Sequence, residues 1–222
     1  MNFLTLPEFL DVLPKDGNVK VAFLLRHAER RHITPEDADL GAHVRITENG
    51  KAAAIAAGEK LPKFGTASYV SSPVMRCRET AAAIASARGD AGFAEPENIP
   101  AEQSLAEFFV KDYDAYLKCL DEGFYEGICA FTEAGESDAF TNLAEGAEAM
   151  LSLIKKHATA NFNFVLTHDA WIVPCLKYFC DLRCTPSHWL NFISGIGFVF
   201  EGASCKAYPV TFMDNGFLDF WK

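Results

Sequence analysis

An apolar run at residues 19–25 breaks off at Arg26-His27-Ala28-Glu29-Arg30, and this junction constrains the fold more than any other stretch of the chain. The run is too short for a buried helix, and most of its residues are β-branched or bulky. A Lys15-Asp16-Gly17-Asn18 turn precedes it, so it reads as a buried strand of parallel type. In open α/β sheets ligands bind beyond the carboxyl ends of the strands, where the following helix offers unpaired N–H groups to an anion. Arg26 and His27 stand at such an end, which suggests a phosphate site. For this stretch alone, a basic surface cluster behind a core strand is the plainer alternative.

The remaining chain supplies the partners for that strand. Residues 5–13 read as a short amphipathic helix, capped by Thr5 and stopped by Pro14, covering the edge of the core. The long polar loop 31–45, broken by Pro35 and Gly41, is placed beside the pocket. An alanine-rich helix over 47–61 turns Ala53, Ile55, Ala56 and Leu61 toward a sheet. A second strand at 67–71 leads to Ser72-Pro73, read as the cap and first residue of a helix over 74–87, with Arg76 in its first turn. Arg78 and Arg88 are read as solvated. A third apolar run, 162–167, ends on His168-Asp169, followed by an apolar helix with Pro174 in its first turn. Residues 191–200 and 205–212 form a hairpin.

Between residues 89 and 146 the strand–helix alternation lapses into acids and aromatics, the pattern of a helical or irregular cap inserted over the active face, although most of its rings read as core. Glu107, just after an apolar step, is a candidate for proton work; a solvated glutamate is the plain alternative. The fold class that follows is α/β: a three-layer αβα sandwich with a mainly parallel central sheet and a cap insertion at about 89–146, in one domain spanning 1–222.

Charge and cysteine content narrow the partners. Twenty Lys and Arg against 30 Asp and Glu give a net charge of -10, which argues against nucleic acid or an anionic membrane as partner, so a cationic site must be local. Seven scattered cysteines without a paired CxxC spacing favour reduced thiols and a cytoplasmic setting over disulfides or zinc. Cys175, Cys180 and Cys184 read as small buried hydrophobes. No secretion signal or membrane span is evident, and no metal or cofactor is called for.

Three apolar runs are followed at once by Arg26-His27, by Ser72 with Arg76, and by His168-Asp169, and a right-handed layout brings all three ends to one face. Two imidazoles, several guanidinium groups and a carboxylate are the parts of phosphoryl transfer through a covalent phosphohistidine. Together, Leu25-Arg26-His27-Ala28-Glu29-Arg30, the stretch Ser71-Ser72-Pro73-Val74-Met75-Arg76 and Thr167-His168-Asp169 resemble the histidine phosphatase superfamily, which includes phosphoglycerate mutases and histidine acid phosphatases.

The resemblance implies that His27 is the nucleophile, that Arg26 and Arg76 clamp the phosphate, and that His168 hydrogen-bonds the transferring group. Arg30 matches a further arginine of the acid-phosphatase branch, which places its proton donor where this chain has Asp169. The mutase-like branch uses a glutamate in a segment resembling Leu105-Ala106-Glu107. Asp169 is preferred as the acid here, with Glu107 as rival. Ala28 replaces a family glycine, Arg31 a proline and Ile33 the mutases' asparagine, which leaves the substrate open. The implied activity is a metal-independent phosphomonoesterase acting on a small phosphorylated metabolite. A phosphomutase and a phospho-ligand binding protein without turnover are the alternatives, and the oligomeric state is not defined by the sequence.

Overall fold

Alternation along one strand divides the protein into layers. The computed structural model describes residues 2–14, 20–34, 36–202 and 204–219. In β2 (Lys20–Arg26), Val21, Phe23 and Leu25 point into one hydrophobic cluster while Ala22 and Leu24 point into the other, as a period of two requires. The first cluster is covered by α1 (Leu6–Asp11), α2 (Glu48–Lys60) and α3 (Met75–Arg88); the second by α4 (Tyr113–Ala134), α5 (Leu143–His157) and α6 (Asp169–Cys180). The result is helices on both faces of one six-stranded sheet.

Strand order in that sheet is β1 (Leu4–Thr5), β7 (Ser204–Thr211), β6 (Ser194–Glu201), β2, β4 (Phe162–Thr167) and β3 (Ala67–Ser71). The β1–β7, β2–β4 and β4–β3 pairings are parallel, and the β7–β6 and β6–β2 pairings antiparallel. A separate ribbon pairs β5 (His188–Leu190) with β8 (Phe217–Asp219). Two register pairs matter for function: Arg26 lies opposite Thr167, and Ser71 opposite Leu166. His27, His168 and Ser72, each one residue beyond its strand, therefore emerge side by side.

Several sequence expectations need correcting. Helix α1 does more than cover an edge: Phe9 is fully buried against Phe23 and Tyr208, with ring centroids 5.3 and 5.9 Å away. In α2 the buried face is Gly50, Ala54, Ala57 and Gly58, whereas Ile55 is exposed. Close approach explains this, because a Cβ on Gly50 would lie 2.4 Å from the Glu29 carbonyl oxygen and one on Gly58 2.4 Å from that of Ile84. Two glycines thus seat the helix on the loop after β2 and on α3. Pro174 is not in the first turn, since α6 begins at Asp169. Arg88 is buried, not solvated: it pairs with Asp90 at 2.6 Å and donates to the carbonyls of Phe64 and Gly65. The hairpin starts at Ser194, not at residue 191, because Ile193 takes a left-handed φ of 49° that ends regular pairing. The turn at 15–18, Val19, Pro35 and Ala203 lie outside the described residues.

The stretch 89–146 contributes three short 3₁₀ turns and α4, a helix that turns at Gly123 where φ reaches 129°. Phe109, Tyr116, Phe131 and Phe140 are buried around Trp171 of α6. Among the described residues, no helix is long and apolar enough to cross a membrane.

Candidate active site

Local backbone bonds fix the strand ends before any side chain is considered. The His27 N–H donates to the Thr167 carbonyl at 3.1 Å, and the Ser72 N–H to the Leu166 carbonyl at 2.8 Å. Thr80 of α3 ties the next step down: its hydroxyl accepts from the Ala28 N–H at 2.9 Å and donates to the Arg76 carbonyl at 2.7 Å. Ala28 is buried and, unlike Asp39, Leu40, Asp181 and Ile193, does not adopt positive φ. Alanine is thus accommodated where the resemblance asks for glycine.

The two imidazoles lie 5.6 Å apart, centroid to centroid, with planes inclined at 66°. Both are buried. His27 Nδ1 is 2.8 Å from the Ala28 carbonyl oxygen, which can only accept, so the proton sits on Nδ1 and the Nε2 lone pair is free. His168 Nδ1 faces the Arg76 guanidinium at 3.3 Å, which can only donate, so this ring carries its proton on Nε2, 3.0 Å from the Ser72 hydroxyl. Burial, then Arg76 and Arg26, hold the His27 pKa well below the ordinary imidazole value. Burial and Arg76 likewise push His168 down to about 3. Two neutral rings with complementary tautomers result.

Cations surround them. Arg76 donates to the Gly41 carbonyl at 2.8 Å, bringing the polar loop onto the site. Arg26 donates to the Leu190 carbonyl, lies 4.2 Å from the centre of the Phe192 ring and pairs with Asp169 at 2.8 Å. Arg30 is drawn down to about 10, first by burial and then by the neighbouring Arg26 and Arg76, with Asp169 opposing. Arg26, Arg30 and Arg76 each keep a buried Nε without a hydrogen-bond partner. Three guanidinium groups with unsatisfied donors suit a multiply charged oxyanion.

The two candidate acids differ sharply. Asp169 is buried, and although burial would raise its pKa, Arg26 and the 2.7 Å hydrogen bond from Trp189 Nε1 hold it below the usual carboxylate range. Glu107 is exposed and hydrogen-bonds none of Arg26, His27, Arg76 or His168. Its segment is nonetheless anchored at the site: Thr167 Oγ1 donates to the Leu105 carbonyl at 2.7 Å, and Trp171 Nε1 to the Ala106 carbonyl at 2.9 Å, bracketing His168. The structure therefore gathers His27, His168, Arg26, Arg76 and Asp169, sets Arg30 beside them, and leaves Glu107 at the rim.

Some of the surrounding residues escaped sequence reasoning. Ser72 does not cap α3, whose first turn is entered from Val74; its hydroxyl meets His168 instead. Trp189, Leu190 and Phe192 come from the approach to the C-terminal hairpin and carry no local motif; an aromatic-rich stretch before a strand was their only signal. Among the described residues, no three His, Cys, Asp or Glu side chains come together in a metal-binding group.

The sequence profile described as the histidine phosphatase superfamily (branch 1) matches residues 22–193, a span that holds every one of these groups. The chain belongs to that superfamily. Solved structures of similar fold support the architecture. A phosphoglycerate mutase from Bacillus anthracis superposes with a TM-score of 0.53 at 16% identity, covering 88% of this chain and 94% of its own. A mycobacterial glucosyl-3-phosphoglycerate phosphatase gives 0.53 at 14% identity, covering 86% and 97%. A phosphoserine phosphatase from Entamoeba histolytica, solved with phosphoserine, gives 0.54 at 17% identity, covering 84% and 94%. A sequence search of curated proteins finds no match. As a histidine phosphatase superfamily member, the chain departs from Arg-His-Gly at Ala28 and follows its second histidine with an aspartate fastened to Arg26.

Proposed function

We propose that this protein is a metal-independent phosphomonoesterase working through a phosphohistidine on His27. The observation that carries the reading is the His27 tautomer: Nδ1–H bonded to the Ala28 carbonyl leaves a neutral Nε2 lone pair beside three under-satisfied arginines. In the first step Nε2 attacks phosphorus, the P–O ester bond breaks, and the departing oxygen takes a proton from a carboxylic acid. In the second, water attacks phosphorus, the P–N bond breaks, and the same carboxylate accepts the water's proton. Arg26, Arg76 and Arg30 hold the equatorial oxygens, and His168, set between Ser72 and Arg76, hydrogen-bonds the transferring group when its Nε2–H exchanges the Ser72 hydroxyl for a phosphoryl oxygen.

We assign the acid to Glu107 in preference to Asp169. A carboxylate fixed as the counter-ion of Arg26 and held at low pKa is a poor proton donor near neutrality, whereas an exposed carboxyl on an anchored segment can approach a leaving group. All seven cysteines are free, which supports a reducing, cytoplasmic compartment. Acid-quenched against base-quenched trapping with a ³²P-labelled monoester tests the core of this reading. Acid-labile, base-stable label on the native chain and none on His27→Ala is the expected result; label retained in that variant would remove His27 as nucleophile.

A further inference from the structure

Beside the catalytic centre lies a cleft of about 640 Å³. Arg30 and Phe192 belong to both, and the Phe192 ring is 5.9 Å from that of His27. No residue of the 89–146 stretch lines this cleft; its walls come from the loop after β2, the start of α2 and the C-terminal segment. The apolar wall is Phe192, Met213, Leu218 and Ala53.

Much of its polar lining is already bonded within the protein. Arg31 grips both oxygens of Asp37, at 2.8 and 2.5 Å. The Thr47 hydroxyl donates to the Glu29 carboxylate and accepts from the Gly50 N–H, both at 2.9 Å. Asn191 accepts from the Phe192 N–H at 2.8 Å and donates to the Asn215 carbonyl at 2.6 Å. Beyond Arg30 and Asn49, a polyhydroxylated sugar placed there would lose water and regain few partners from these bonded groups.

We infer that this cleft receives the leaving group of the substrate, and that the leaving group is a ring-bearing, largely apolar alcohol with few hydroxyls. The inference rests on the phosphomonoesterase reading for the position of the phosphoryl group at His27. A flat ring would bury its face against Phe192, Met213 and Leu218 while its phosphate meets Arg30 and the buried arginines beyond.

Binding calorimetry with non-hydrolysable phosphonates tests this independently of turnover. 2-Phenylethylphosphonate is expected to bind about tenfold or more tightly than ethylphosphonate, the gain for burying one ring, and tighter than a glucose-derived phosphonate. In Met213→Asp the phenylethyl-to-ethyl affinity ratio should collapse toward one, and Leu218→Asp, on the facing ribbon, provides a second variant if the first does not fold. A ratio near one in the native protein, or a preference for the sugar phosphonate, overturns the inference. Trapping of phosphate on His27 is read separately: label there with no phenylethyl preference sinks only the cleft assignment, while absence of label sinks the catalytic reading.

Discussion

Arg26 and Asp169 form an ion pair of 2.8 Å in which the side chains are 2% and 9% exposed, and Trp189 Nε1 donates to the same carboxylate oxygen, Oδ2, at 2.7 Å. A residue adjoining the second histidine is thereby bound to the residue adjoining the first. Two charges so deeply buried are tolerable only as a pair, and removal of one partner typically costs about 3–5 kcal/mol. The pair fixes the angle of the Arg26 guanidinium and holds the Asp169 carboxyl below the usual carboxylate range.

Leaving-group dependence separates the two carboxylates. Glu107→Gln should lower kcat on an alkyl ester by about 10²–10⁴-fold and affect a good phenolic leaving group far less, since only the alkoxide strongly needs a proton. Asp169→Asn should instead impair both esters alike, raise KM, and lower the melting temperature. Should Asp169→Asn be the variant selective for the alkyl ester, the acid assignment reverses.

Acid should weaken the fold through the same buried rings. His27 and His168 have folded values below the ordinary 6.5, so at lower pH the unfolded chain takes up protons that the folded one does not. Stability attributable to them is fully present above 6.5 and falls as pH drops below it, for His168 down to about 3, by up to about 1.4 kcal/mol per pH unit for each ring. Asp169 acts in the same sense but lower, its contribution being lost only as pH falls below the ordinary 3.8 and through its depressed folded value. Denaturant midpoints at pH 7 and pH 5 should therefore separate more in the native chain than in His168→Gln; equal separation would disprove the linkage.

Ser72→Ala removes the hydroxyl 3.0 Å from His168 Nε2 and leaves that buried N–H facing the Cys77 thiol at 3.8 Å. A cost of about 1–3 kcal/mol is expected. The more telling readout is the ring itself: ¹⁵N shifts should show His168 protonated at Nε2 in the native protein and a mixed tautomer in the variant. An unchanged tautomer would show that Arg76 and the Cys77 thiol set it without Ser72.

Gly50→Ala and Gly58→Ala both drive a methyl into a backbone carbonyl oxygen at 2.4 Å. Each should destabilise by about 1–3 kcal/mol, read as a shift in the thermal midpoint. They should differ in activity. Gly50 abuts Glu29, two residues from His27, and its variant should also lose turnover, while Gly58 abuts Ile84 within α3 and should not.

Much of this was readable from the chain. Apolar runs of strand length marked β2, β3 and β4, and the polar residues that end them marked one face, because strand termini in such sheets carry a direction. What sequence could not supply was contact between segments remote along the chain. Arg88 resembles any arginine at a helix end until Asp90 and the Phe64 carbonyl close on it. Apolar spacing points Ile55 of α2 inward, whereas the backbone contacts that Gly50 and Gly58 permit decide which side of the helix is buried. Asp169 carries the pattern of a proton donor, and only the fold brings Arg26 to it as a salt-bridge partner and Trp189, twenty residues on, as a hydrogen-bond donor.

Strand β2 ends at Arg26, yet both its neighbours in the sheet, β4 and β6, begin beyond residue 160. A ribosome-bound chain that stops short of residue 160 has neither the pairing partners of β2 nor His168, Trp189 and Phe192. Such long-range pairing folds slowly and late. The cluster of arginines and histidines should consequently assemble in one step, once residues 162–201 are available to pair with β2.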